Sequence, residues 1–116
     1  MIYLGWGLGR FGAGGVRMTP DYAPAVRALE AARTTVFVLD VTDAGFHSLE
    51  VGLEKVAKQT GGTYDKTNQF TQQATRRLAR TISGYYVLTL DGGRMEHARV
   101  RVELREKKGR VLSKRF

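Results

Sequence analysis

Val36-Phe37-Val38-Leu39-Asp40 is the stretch on which the fold turns. Four consecutive β-branched, aromatic or aliphatic residues leave no wet face, so the segment reads as a strand covered on both sides, the habit of a central strand in a parallel sheet. Upstream, Thr19, Pro20, Asp21 and Pro24 mark a helix start, and Ala25, Val26, Ala28, Leu29 and Ala32 supply one apolar face. A helix from about 21 to 33 is predicted there. Downstream, Leu49, Leu53, Val56 and Ala57 recur at helical spacing after Ser48, read as the cap, and Gly61 and Gly62 stand where a left-handed end is wanted. Strands alternating with helices imply parallel crossover units.

Working outward, Met1 to Trp6 carries Ile2, Tyr3, Leu4 and Trp6 and predicts a buried strand; the glycine-dense stretch from Gly5 to Gly15 predicts a flexible loop after it. Tyr64 falls in a very short strand. Phe70, Ala74, Leu78 and Ile82 repeat every four residues along a third helix, capped near Thr67 or Asn68, with Arg76, Arg77 and Arg80 toward solvent. Beyond Gly84 the period becomes that of strands: Tyr85 to Leu90, a turn at Asp91-Gly92-Gly93, an alternating strand with Ala98, Val100, Val102 and Leu104 on its dry face, and a last strand from Arg110 to Phe116.

The 116 residues, 12.9 kDa, suffice for one core and not two. With 42% hydrophobic and 26% charged residues, disordered and low-complexity classes are excluded for the whole. Without cysteine there are no disulfides, thiolate metal sites or thiol nucleophiles. No apolar run reaches the roughly 20 residues of a membrane span, and none reads as a signal peptide. The net charge of +8 is concentrated at one end: from Arg94 to Phe116 nine basic residues face three acidic ones.

The run of Val36 to Asp40, Leu49 to Ala57, Thr60-Gly61-Gly62 with Tyr64, the third helix, and Tyr85-Tyr86-Val87-Leu88 resembles the second half of a von Willebrand factor type A domain, more narrowly the bacterial VWFA-related group. Ile2-Tyr3-Leu4-Gly5-Trp6-Gly7 is similar to that group's fourth strand. The resemblance implies an α/β fold: a partial Rossmann-like parallel sheet with three helices and a C-terminal antiparallel β-hairpin, one domain over 1–116 with its α/β part at 1–83 and a β-meander at 84–116. It also implies a divalent-cation site built on an Asp-x-Ser-x-Ser loop after the first strand, which this chain is expected to lack, and an exported or periplasmic setting. In a competing alignment Asp40 and Thr42 imitate the start of that loop, with Ala at position 44 supplying no oxygen.

Asp40, Thr42 and Asp43 beyond a central strand are therefore the candidate metal residues; the same residue types suit a strand end and turn, and that is the reading preferred, with no cofactor. Gly7-Leu8-Gly9-Arg10-Phe11-Gly12 matches a phosphate-cradling glycine pattern, but the helix that pattern needs begins too late. His47 and His97 have no partners apparent along the chain, so no catalytic constellation is predicted. Arg99, Arg101, Arg105, Lys107 and Lys108 form a basic surface, read as a solvated, edge-protecting face in preference to a nucleic-acid site. The function expected is non-enzymatic: a protein-interaction module that self-associates as a homodimer through Ile2, Leu4 and Trp6, with a basic nucleic-acid binder as the alternative.

Overall fold

A computed structural model describes residues 1–89, 102–106 and 111–112. Along them run β1 (Ile2–Gly5), β2 (Arg10–Gly12), β3 (Gly15–Arg17), α1 (Tyr22–Ala31), β4 (Phe37–Asp40), α2 (Glu50–Gln59), β5 (Tyr64–Lys66) and α3 (Thr71–Ile82). β1, β4 and β5 form a parallel sheet in the order β1-β4-β5, and β2 pairs with β3 as an antiparallel hairpin. The chain is α/β, as expected, and β4 is its central strand.

Both faces of β4 are covered, which is why its apolar run is unbroken. On one face Val36 and Val38 pack with Leu53, Val56 and Ala57 of α2, joined by Tyr3, Leu8, Tyr22, Leu29 and Tyr64. On the other, Leu39 packs with Ala74 and Leu78 of α3, with Phe37 beside them. Each such aliphatic side chain contributes on the order of 2 kcal/mol by leaving water. α2 ends as its glycines predict: Gly61 takes φ +75°, its N–H donates to Lys58 O (3.3 Å), and Gly62 N–H donates to Ala57 O (2.8 Å). Those bonds satisfy carbonyls the helix would otherwise leave open.

Four expectations are corrected. The glycine stretch is a hairpin: Phe11 faces Val16 across it, and Gly9 and Gly15 adopt φ of +104° and +94° to shape its ends. Its strands are three residues long and largely exposed, too short to show alternation. The helix caps also differ. The N-cap positions are Leu49 for α2 and Phe70 for α3, with no side-chain cap at either, so Ser48 and Asn68 do not serve there; the Thr67 hydroxyl donates instead to Asp40 O (2.9 Å), tying α3's entry to the end of β4. α1 buries Val26 and half-buries Leu29, while Ala25, Ala28 and Ala32 face solvent. Finally, Tyr85, Tyr86, Val87 and Leu88 are exposed and lie in no strand, and Val102 and Leu104 are exposed. Strands are stabilised by cross-strand contacts, and the described residues give this segment none; the rest of the expected C-terminal hairpin lies outside them.

Candidate interaction surface and a buried polar cluster

β1 is held to β4 by one side only. Met1 O and Gly5 O accept hydrogen bonds from Phe37 N–H (2.9 Å) and Val41 N–H (3.0 Å). Alternate residues of a parallel strand face alternate sides, so Ile2 and Leu4 turn their N–H and C=O groups outward. Among the described residues no strand pairs with that edge.

The side chains match the backbone. Ile2 and Leu4 stand in register with Phe37 and Leu39 on the α3 side of the sheet, but α3 covers β4 and leaves them bare. Ile2 is 49% exposed, Leu4 64% and Trp6 70%. The expected strand is present and its expected burial is not. Apolar residue types show that a strand needs cover; they do not show whether its own chain supplies it. The opposite edge is different: β5 carries Asp65, bonded to Arg77 (2.9 Å), and Lys66, ion-paired with Glu50. Charge of this kind discourages edge pairing, and β1 has none.

At the carboxyl end of the sheet lies a polar cluster built on Asp40, which is 1% exposed. Thr42 donates to Asp40 Oδ1 through both N–H (3.0 Å) and Oγ1 (2.5 Å). Tyr64 OH donates to Oδ2 (2.7 Å), and His47 Nε2 lies 2.6 Å from the same oxygen. Burial alone would push this carboxyl up; hydrogen bonds from the side chains of Thr42, Tyr64 and His47, then from Thr42 N–H, outweigh it and hold Asp40 down at about 2. The Tyr64 hydroxyl is raised by burial and by Asp40 beside it. Glu50, in the first turn of α2, is buried; its Oε2 touches the Lys66 ammonium as an ion pair and accepts no hydrogen bond of ordinary geometry. Lys66 in turn donates to Gly45 O (2.6 Å).

Of the candidate metal residues, Asp40 and Thr42 meet, and Asp43 is exposed and outside the cluster. The residues missed are His47, Glu50 and Tyr64. One oxygen or nitrogen from each of Asp40, His47 and Glu50 lies within 4.8 Å of the others. A signal for them existed: His47 and Glu50 are three apart at a predicted helix start, directly beyond a strand ending in Asp, a place where side chains converge in parallel sheets.

The cluster is not a nucleophilic triad. Such a triad uses the two imidazole nitrogens for different partners. Here Nε2 faces both Asp40 Oδ2 and Thr42 Oγ1 (3.1 Å), and the Thr42 hydroxyl donates to Asp40, not to an imidazole. The glycine pattern from Gly7 to Gly12 leads into the hairpin, and the next helix in the chain, α1, starts only at Tyr22. Of the basic surface residues, Arg105 is exposed, and Arg99, Arg101, Lys107 and Lys108 lie outside the described residues. No helix among the described residues is long and apolar enough to cross a membrane. Comparison with protein-family models, with curated proteins and with solved structures finds no match for this chain.

Proposed function

We propose that the chain is a non-enzymatic interaction module of von Willebrand A type that associates with a second copy of itself through β1. The observation carrying this reading is the outer edge of β1, uncharged, unpaired among the described residues and flanked by exposed Ile2, Leu4 and Trp6. The type rests on the order of parallel strands and helices around β4 together with the motifs that resemble that group.

A two-fold axis beside β1 sets the two copies antiparallel. Ile2 of one copy then opposes Leu4 of the other, and their outward groups form about four inter-chain hydrogen bonds. Two three-stranded sheets become one of six. The apolar side chains on β1 line the seam, each contributing up to about 2 kcal/mol as it is covered.

Sedimentation equilibrium is expected to show a dimer at micromolar concentration. The emission of Trp6, the only tryptophan, should move to shorter wavelength as the dimer forms. Leu4→Pro is the sharp variant: the Leu4 N–H points away from β4, so proline there removes an outward donor while sparing the ladder to β4. In the dimer it removes two inter-chain hydrogen bonds, one from each copy, and is expected to raise the dissociation constant at least about tenfold. A monomer at every concentration, or a Leu4→Pro protein that dimerises as tightly as the parent, overturns the reading.

A further inference from the structure

We propose that Asp40, His47 and Glu50 bind one divalent transition cation of the zinc class, with Asp40 Oδ2, His47 Nε2 and a Glu50 carboxylate oxygen as ligands and water in the remaining position. Two observations carry the assignment independently of the self-association above. The first is geometry: the three donor atoms lie within 4.8 Å of one another, and an ion at ligand distances of about 2.0–2.2 Å holds its ligands about 3.3 Å apart when tetrahedral. The Asp40–His47 contact of 2.6 Å opens slightly as the ion replaces the proton between them; Glu50 closes in from its neighbouring turn.

The second is charge. Two buried carboxylates, Asp40 and Glu50, face one ammonium, that of Lys66, so with the imidazole neutral the cluster is one positive charge short. Glu50 Oε2, in a residue 8% exposed, accepts no regular hydrogen bond. Buried charge without full compensation is costly. A dication bound by two carboxylates and one neutral imidazole makes a neutral centre, and the remaining Lys66 charge sits on a side chain that is 29% exposed and so reaches water. The ring ligates through Nε2 with its single proton on Nδ1, so a neutral imidazole stays neutral, and Lys66 is freed from Glu50, leaving its ammonium on Gly45 O. The nitrogen and oxygen donors favour zinc-class ions over Mg²⁺, which prefers oxygen alone. Thr42 holds Asp40 Oδ1 and Tyr64 OH holds Oδ2, hydrogen bonds of the kind that orient metal-binding carboxylates.

The test is a cobalt(II) titration of untagged, chelator-treated protein, followed by its visible ligand-field bands, with zinc as competitor. One-to-one uptake with bands of a four- or five-coordinate ion is expected. His47→Ala and Glu50→Gln should each weaken binding by at least about a hundredfold, and Tyr64→Phe by about tenfold. Lys66→Met removes the competing ammonium and should tighten binding, an outcome a purely structural role for the cluster does not produce. Asp43→Asn and His97→Ala should bind as the parent does. Circular dichroism checks that each variant folds, and in the parent protein the His47 imidazole proton resonances should shift on zinc addition. Absence of uptake, uptake unaffected by His47→Ala and Glu50→Gln in folded protein, or unmoved His47 resonances overturn the assignment.

Discussion

Replacing Gly62 by alanine is expected to cost about 3 kcal/mol or more, against about 1 kcal/mol for the same change at its neighbour Gly61. The two glycines do different work. Gly61 sits at φ +75°, where an L side chain is strained by its own backbone and little else. Gly62 lies directly over β4: a Cβ built there would stand 1.9 Å from Val36 O and 2.7 Å from Val36 C, both backbone atoms that cannot swing aside. On either side of this contact the chain is clamped to β4, since Val36 N–H donates to Thr60 Oγ1 (3.0 Å) and Val38 N–H donates to Thr63 O (2.8 Å). Making room for one methyl group pulls both bonds apart and lifts the end of α2 from Val36 and Val38. Urea midpoints for the two variants, at unchanged slope, read the difference directly. Equal midpoints, or a Gly62→Ala protein as stable as the parent, would show that the close approach relaxes and that φ alone governs this turn.

The same pair shows what is legible along a chain and what is not. Thr60-Gly61-Gly62 after a helical apolar stripe identifies a helix end, because positive φ and glycine go together. That the second glycine is needed for contact with a strand twenty-six positions earlier is a tertiary fact, invisible in local pattern. Val36 to Asp40, Leu53, Val56 and Ala57, and Ala74 with Leu78 were readable for the first reason: each belongs to an element whose period is set by a face it buries. The hairpin at Arg10–Arg17 was not, since its strands are three residues long with little buried, and glycine signals a turn and a loose loop alike. The apolar character of Ile2, Leu4 and Trp6 was legible, but not their exposure, which depends on where α3 lies over the sheet. In the polar cluster Asp40 stood out as the end of the central strand, whereas His47 and Glu50 reach it only through the path of the 41–49 connection. Local residue types make Asp43 as plausible as Glu50 until that path is known.

Asp40 itself carries the second large expectation. In chelator-treated protein, Asp40→Asn is expected to lower stability by about 3 kcal/mol near neutral pH, because the carboxylate accepts four hydrogen bonds in a site closed to water, while an amide offers one acceptor and brings donors of its own. The pH dependence follows from the same contacts. The folded carboxyl sits at about 2, below its ordinary value of 3.8, so the folded state favours the ionised form. Its contribution is complete above the ordinary value and is lost as the pH falls from there toward 2. The stability gap between parent and Asp40→Asn should therefore narrow by about 2 kcal/mol between about pH 6 and about pH 2, the linkage equivalent of that displacement. Charged groups remote from the cluster contribute alike to both proteins, which makes the gap a cleaner measure than either acid-unfolding curve. Urea unfolding of the two proteins across this range gives it. A gap that stays constant to pH 2 would mean that Asp40 titrates like an ordinary carboxyl and that the contacts from Thr42, Tyr64 and His47 do not stabilise its charge.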